Sequence, residues 1–428
     1  MFSSQHLCRL FSGDITDYHR FIDELFSRRV ADVFSDIPFY RDHLASKGLT
    51  PADFRGISDL SKLPVVDRRT LQSRPVETFV SAAALAAGLP SPAYTSGTSG
   101  EPLQLYASRD FYIASFHLMQ LAYGGSVPFT ASCLSEVDRV LPEQDDCQVH
   151  FIARSNSVAQ LFERLKEIRP QVALLGPRRW RKLVERYGHE LADLNLVVAG
   201  AAGAASTPEE RAYLSGFVGC PVVDMYGATE LGGAIFECPR GREHVLAHHN
   251  YLEILDDDGN PAAPGHSGNL VWTALDNSIM PLIRYQIGDT GQFAVDQECD
   301  CGWNGPIVQG VGGKAREKIV FPTGMTLNAF KLNVEVHRTP GPPLFDDYRF
   351  RQAEADLIRL SAVRSNDFSE DMLGDLLSRI EKLLGGHVRL ELVWVDAIDQ
   401  PMDKPVYFVS LEQSRREAAA GAGAPVTP

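Results

Sequence analysis

The first stretch whose residue types could do chemistry is Tyr94 to Pro102, Y-T-S-G-T-S-G-E-P. Gly97 and Gly100 let the backbone turn and approach a ligand closely. Successive backbone N–H groups in such a turn form a concave anion site, and the hydroxyls of Thr95, Ser96, Thr98 and Ser99 add donors. The guest that fits such a loop is a polyphosphate. The segment departs from the G-x-x-x-x-G-K-[ST] pattern, because Glu101 follows Gly100 where that pattern has lysine. Serine, threonine and glycine also favour plain surface turns, so this loop acquires a function only through partners elsewhere in the chain.

A second set is metal-like. Cys299-x-Cys301 is a chelating pair, and Cys238 and His244 stand upstream on what reads as the same domain. Thiolates with an imidazole suit a closed tetrahedral zinc of the structural kind. His248 and His249 compete for the fourth position, and free thiols in a loop are the plain alternative. Seven cysteines, an odd number, do not form a disulfide framework.

The chain has 428 residues, enough for two or three domains. Its formal charge of −14 argues against a broad basic surface for nucleic acid or anionic membrane. No run approaches the roughly 20 apolar residues of a membrane span. Met1 to His6 lacks a charged start and an apolar secretory core. A cytoplasmic protein, monomeric or homodimeric, is the expectation.

The elements that must position these groups follow from periodicity. Tyr18, Phe21, Ile22, Leu25, Phe26, Val30, Val33 and Phe34 form a helical stripe, and the segments through Leu63-Pro64 and Arg69 read as helical and linker scaffold. From residue 157 the chain alternates. A stripe at Val158, Leu161, Leu165 and Ile168 precedes a strand at Val172 to Leu175; a basic helix, Arg178 to Tyr187, precedes a strand at Leu194 to Ala199; a capped helix start at Thr207-Pro208-Glu209-Glu210 precedes a strand at Pro221 to Met225. This order predicts an α/β fold with a parallel sheet covered by helices. Ligands sit at the carboxyl ends of such strands, where the loops Gly200 to Gly203 and Tyr226 to Glu230 are expected. Tyr251 to Leu255 and Gly268 to Leu275 read as a hairpin around Asp256 to Pro261, the start of a β-subdomain. Gly310 to Gly313 reads as a flexible break. The expected division is a large N-terminal domain, residues 1–310, a small mobile α+β domain, 311–412, and a disordered tail, 413–428, rich in Ala, Gly and Pro.

With these stretches in order, the chain resembles the adenylate-forming, AMP-binding enzymes, and within them the phenylacetate–coenzyme A ligase branch. The carriers are Pro38-Phe39-Tyr40-Arg41 with Leu63-Pro64, Ser96 to Gly100, Tyr226-Gly227-Ala228-Thr229-Glu230, Pro281 to Asp289, and Cys299-Asp300-Cys301-Gly302. The resemblance implies a ligase that joins a carboxylic acid to the α-phosphate of ATP and passes the acyl group to a thiol. It implies that the hydroxyl loop, Thr95 to Gly100, holds phosphates, that Tyr226 stacks on adenine in a segment with Gly227, Ala228 and Thr229, and that Glu230 binds Mg²⁺. It further implies that Asp289 accepts the ribose hydroxyls and that Gly200 and Ala201 line the adenine pocket. Lys404 would bridge the carboxylate and the α-phosphate, making it and Glu230 the catalytic pair.

The chain also departs from the pattern. Glu101 replaces a lysine often found after the loop, and Gly313-Lys314-Ala315-Arg316-Glu317 stands where relatives carry an acidic pair, putting Arg316 at the hinge. What the resemblance implies first is an aromatic or heteroaromatic acid as substrate, with coenzyme A or a phosphopantetheine carrier protein as acceptor. Two competing expectations are transfer to an amine or hydroxyl in natural-product tailoring, and a degenerate relative that binds without catalysis.

Overall fold

The structure is a computed structural model that describes residues 15–89, 92–95, 102–107, 110–141, 147–246, 250–274, 277–314, 318–338, 343–366, 368–400 and 405–421. The strands of its main sheet are β1 (Val66–Asp67), β2 (Phe129–Ser135), β3 (Arg139–Val140), β4 (Cys147–Ala153), β5 (Val172–Leu175), β6 (Val198–Ala202), β7 (Val222–Ala228), β8 (Gly232–Glu237), β9 (Glu243–Val245), β10 (Asn250–Leu255), β11 (Gly268–Ala274), β12 (Tyr285–Phe293) and β13 (Ile307–Lys314). Among the described residues they hydrogen-bond in the order β10-β11-β12-β13-β9-β8-β7-β6-β5-β2-β4-β3, with β1 beside β12.

The central stretch, β4-β2-β5-β6-β7, is parallel. It forms because apolar runs alternate with three amphipathic helices, α5 (Val158–Ile168), α6 (Pro177–Tyr187) and α7 (Pro208–Val218), which bury Leu161, Phe162, Trp180, Leu183 and Leu214 against one face. Each helix has a local start signal. Ser157 and Gln160 make a capping box for α5; Pro177 occupies the first turn of α6; the Thr207 hydroxyl accepts the Glu210 N–H at 3.3 Å to cap α7. Helix α4 (Asp110–Ala122) covers the other face through Phe116, Leu118 and Met119.

From β7 the sheet turns antiparallel, β7-β8-β9 and then β13-β12-β11-β10. Against it lie α1 (Ile15–Asp36) and α2 (Pro38–Lys47), whose Phe26, Val30, Phe34, Phe39 and Tyr40 share one apolar cluster with Leu252, Leu270, Trp272 and Tyr285. A separate unit follows: β14 (Phe345–Glu354), β15 (Leu357–Arg364), β16 (Arg389–Trp394) and β17 (Phe408–Val409) in the order β16-β15-β14-β17, with α8 (Phe330–His337) and α9 (Glu370–Leu384). Its core, Ile319 to Phe408, shares no residue with the others.

Three expectations change. Gly310 to Gly313 is no break: Gly310 and Gly312 have positive φ (62° and 131°), but both lie within β13, held by pairing of Thr290 with Gly312 and Asp289 with Lys314. The cores part instead between Val311 and Ile319. Residues 413–421, expected to be disordered, continue helix α10 (Leu411–Gly421), which alanine propensity and an Arg416–Glu412 pair one turn apart favour. Finally, Gly200, Ala201 and Tyr226 to Ala228 belong to β6 and β7 rather than to loops, and Asp289 lies inside β12, because neighbouring strands keep pairing past the expected ends.

Arg284 fastens the N-terminal helices to this frame. It is a non-glycine residue with φ +52°, and its surroundings over-determine that conformation. Its N–H donates to Thr273 Oγ1 at 3.1 Å and its carbonyl accepts the Val66 N–H at 2.8 Å. The guanidinium donates to both Glu253 oxygens (3.0 and 2.9 Å) and to the Leu63 carbonyl (2.7 Å). Burial raises the Glu253 carboxyl and only Arg284 counters it. We expect Arg284→Ala to destabilise the protein by about 3–5 kcal/mol, measured as a lower thermal midpoint with early exposure of residues 60–67 to proteolysis.

Candidate functional site

The feet of the glycine-rich loop form a two-stranded pair, Ala93–Tyr94 against Gln104–Leu105, as expected for a turn between strands. Thr95 N–H donates to the Leu103 carbonyl at 3.0 Å, and Thr95 Oγ1 accepts the Leu103 N–H at 2.9 Å. Ser96, Gly97, Thr98, Ser99 and Gly100 lie outside the described residues, as do Lys404, Arg316, His248 and His249. Thr95 Oγ1 also accepts a hydrogen bond from Arg68 Nη2 at 3.1 Å. Arg68 begins α3 (Arg68–Gln72), whose end is capped by the Asp67 carboxylate through the Thr70 N–H at 2.8 Å.

Strand β1 places this arginine. Val66 pairs with Tyr285 and Asp67 with Gln286, so α3 starts directly over β12. The Tyr285 hydroxyl donates to Glu230 Oε1 at 3.4 Å. Burial, followed by the negative charge of Glu230, raises the Tyr285 phenol, while Arg68 nearby pulls the other way. Glu230 is buried in the turn between β7 and β8. Two residues into β7's end, the Tyr226 hydroxyl donates to Asp289 Oδ2 at 2.7 Å. Burial and the charge of Asp289 hold that phenol protonated, with Glu230 and Tyr285 also close enough to contribute. The Tyr226 ring stacks on Trp272 with 6.3 Å between centroids.

Thr95, Arg68, Tyr285, Glu230, Tyr226 and Asp289 thus form one connected set on four separate parts of the chain. Two carboxylates, a guanidinium and three hydroxyls in one place suit an anionic, hydroxyl-rich ligand together with a hard cation, which prefers oxygen ligands. The tight hairpin beside them depends on glycine: a Cβ on Gly227 would lie 2.2 Å from the Gly232 carbonyl oxygen. Ala228 and Thr229 complete that corner, both half-buried.

Gly200 and Ala201 sit differently from expectation. Ala201 faces the helix-covered core, and a Cβ on Gly200 would lie 2.2 Å from Leu174, with the Gly200 carbonyl accepting Trp180 Nε1 at 3.0 Å. The Ala201 methyl packs in that core, and Leu174 fills the space beside Gly200; Gly203, with φ +84°, is the exposed residue just beyond this strand. Conversely, Arg68 and Tyr285 escaped the sequence reading. Arg68 belongs to no anion-binding motif, and its only local signal is a basic pair, Arg68-Arg69, following a capping aspartate.

The cysteine set does come together. Ligand atoms of Cys238, His244, Cys299 and Cys301 all lie within 4.8 Å of one another. A tetrahedral zinc with Zn–S of about 2.3 Å and Zn–N of about 2.0–2.1 Å requires edges of about 3.8 Å between sulfurs and about 3.5 Å between sulfur and nitrogen. Cys238 Sγ and Cys299 Sγ are 3.8 Å apart, and Cys301 Sγ lies 3.5 Å from His244 Nε2. His244 Nδ1 faces the Gly305 carbonyl at 2.9 Å, an arrangement that leaves Nε2 toward the sulfurs and fixes the ring as metal-binding histidines require. The donors and the geometry fit zinc.

The chain matches the AMP-binding enzyme family over residues 92–274. It is 26% identical over 382 residues to a phenylacetate–coenzyme A ligase of Thermus thermophilus, covering 83% of each chain. Among solved structures, 2-hydroxyisobutyryl-CoA ligase in the postadenylation state in complex with R3-HIB-AMP superposes with TM-score 0.77 at 17% identity, over 97% of this chain and 94% of that one. The same enzyme with 2-HIB-AMP and CoA in the thioesterification state gives 0.58 at 17% identity over the same shares. These matches support placing the chain with the adenylate-forming, AMP-binding superfamily of ligases. Within that superfamily its likeness is to the phenylacetate–coenzyme A ligase branch.

We expect purified protein to carry about one zinc per chain by elemental analysis. Cys299→Ser with Cys301→Ser should abolish retention of the metal and lower the thermal midpoint, since a structural zinc contributes folding free energy.

Proposed function

We propose that this chain activates a small aromatic or heteroaromatic carboxylic acid with ATP and transfers the acyl group to the thiol of coenzyme A or of a phosphopantetheine carrier. In the first half, a carboxylate oxygen of the acid bonds to the α-phosphorus and pyrophosphate leaves. In the second, the thiol sulfur bonds to the acyl carbon, AMP leaves, and the thiol proton is given up to solvent or base. The observation that carries this reading is the connected set joining the foot of the glycine-rich loop to Glu230 and Asp289.

In this reading the loop, Thr95 to Gly100, holds the β- and γ-phosphates. Arg68 supplies beside Thr95 the positive charge that Glu101 does not provide. Glu230 offers an oxygen to Mg²⁺, which would neutralise phosphate charge when bound. Asp289 accepts the ribose hydroxyls, and its bond from Tyr226 fixes the ring that stacks on adenine. Lys404 bridges the carboxylate and the α-phosphate, where a cation stabilises charge that develops in the transition state. The zinc set ties the loop of Cys299 to the β8–β9 hairpin and takes no part in the reaction. In this reading the two apolar cores, which part between Val311 and Ile319, belong to two domains, with Arg316 as the hinge residue.

Exchange of labelled pyrophosphate into ATP, scanned over a panel of aryl acids, tests the first half; coenzyme A, a carrier protein and amines tested as acceptors separate thiol transfer from amide formation. No exchange with any acid would leave only ligand binding. Lys404→Ala should cut exchange by orders of magnitude and spare thioester formation from preformed adenylate; equal loss in both halves would remove Lys404 from the role. Arg68→Gln should raise KM for ATP roughly ten- to hundredfold, the size of a hydrogen bond to a charged group, with kcat changed less.

A further inference from the structure

The apolar clusters of the N-terminal body end at Val311, and that of the C-terminal unit begins at Ile319. What crosses the seam at α6 and α7 is polar and buried. Arg178 Nη2, on α6, donates to Asp347 Oδ2 on β14 at 2.7 Å, with side-chain exposures of 13% and 8%. Glu210 on α7 pairs with Arg181 Nε of α6 at 3.1 Å and, through its other oxygen, with His337 Nδ1 of α8 at 3.1 Å. Its carboxyl is held down to about 2: burial alone would raise it, and the neighbouring His337 and Arg181 outweigh that. The Thr207 hydroxyl donates to the His337 carbonyl at 2.7 Å, and His337 Nε2 lies 2.7 Å from the Tyr348 hydroxyl.

The same network reaches both ends of the segment that carries Lys404. Gln400 donates to Asp347 Oδ1, and Gln400 Oε1 accepts the Val406 N–H at 3.1 Å. Arg349, two residues along β14, donates to the Val406 carbonyl at 3.2 Å and to the Asp399 carbonyl at 2.9 Å. One ion pair to the N-terminal body therefore bears on the residues that flank 401–404.

We propose that this seam is a latch, resting on the functional reading above: Arg178 and Asp347 are positioning residues that hold the C-terminal unit, with Gln400 and Val406 on either side of 401–404, in the arrangement described here. Charge suits a contact that must open. An apolar seam would lose its hydrophobic stabilisation on parting, whereas ions recover hydration that offsets much of the lost attraction. Two nitrogens of Arg178 have no hydrogen-bond partner among the described residues, so a single hydrogen bond holds the pair.

The test uses the full chain with Asp347→Asn, Arg178→Gln, and the exchanged pair Arg178→Asp with Asp347→Arg. Small-angle scattering should show a larger radius of gyration and a broader distance distribution for each single variant, returning toward wild type in the exchanged pair. Acid-dependent pyrophosphate exchange should fall roughly tenfold or more in the single variants, as for coupled charges in one network, while thioester formation from preformed adenylate is retained. Unchanged scattering in both single variants overturns the latch, as does an equal fall in both half-reactions with unchanged scattering. If no acid supports exchange in the wild type, the functional reading fails, and scattering alone still decides the latch. Arg178→Gln, which changes the body side, serves where Asp347→Asn proves too unstable to fold.

Discussion

A two-residue parallel pairing, Val66 to Tyr285 and Asp67 to Gln286, is the join on which the site depends. It sets Arg68 over β12, beside the apolar cluster and the Tyr40–Ile283 and Ser81–Ile279 hydrogen bonds that also tie the N-terminal layer to the sheet. With it, the Tyr285 hydroxyl meets Glu230 on one side of β12 while Asp289 meets Tyr226 further along the same strand. So short a pairing cannot hold itself. Arg284 holds it, by spanning Glu253 on β10 and the carbonyl of Leu63 just before β1. Its left-handed backbone is part of the same device, since that turn lets the Arg284 carbonyl receive the Val66 N–H.

The two halves of the molecule use opposite physics for opposite ends. Within the N-terminal body, continuous apolar clusters fasten helices to the sheet, and close packing of that kind resists displacement. The cysteine–histidine set lies where β8, β9 and the segment around Cys299 meet, a junction that Arg242 also ties to Asp296 and Glu298. Between the body and the C-terminal unit the contacts are charged, and buried charge is sensitive to geometry: it is well satisfied in one arrangement and poorly in any near it. Such a seam favours discrete positions over a continuum.

Much of the body was legible from the chain alone because its signals are local. The stripes of α1 and α5, the cap at Thr207, and the hairpin of β10 and β11 each follow from side-chain period or turn chemistry within a few residues. Tyr226, Glu230 and Asp289 were named through the resemblance that their motifs carry, and the cysteine–histidine set from its residue types. Boundaries were less legible. Strands β6, β7 and β12 run on past their apolar residues because their neighbours continue to offer hydrogen bonds, and α10 continues through a tail whose composition suggested no structure.

Residue order by itself offered a hydroxyl- and glycine-rich loop and a set of thiols with an imidazole, and the resemblance its motifs carry added the class of chemistry and the two carboxylates. Only the folded chain decided which of these share a place, and it added what no local pattern announces. Arg68 gains its place from β12, far along the sequence, and strand alternation turns Ala201 toward the helix-covered core. The seam of Arg178, Glu210, His337 and Asp347 joins residues from two units whose hydrophobic periods are independent. Periodicity records which face of an element is buried; it carries no record of which charges will meet when the elements pack.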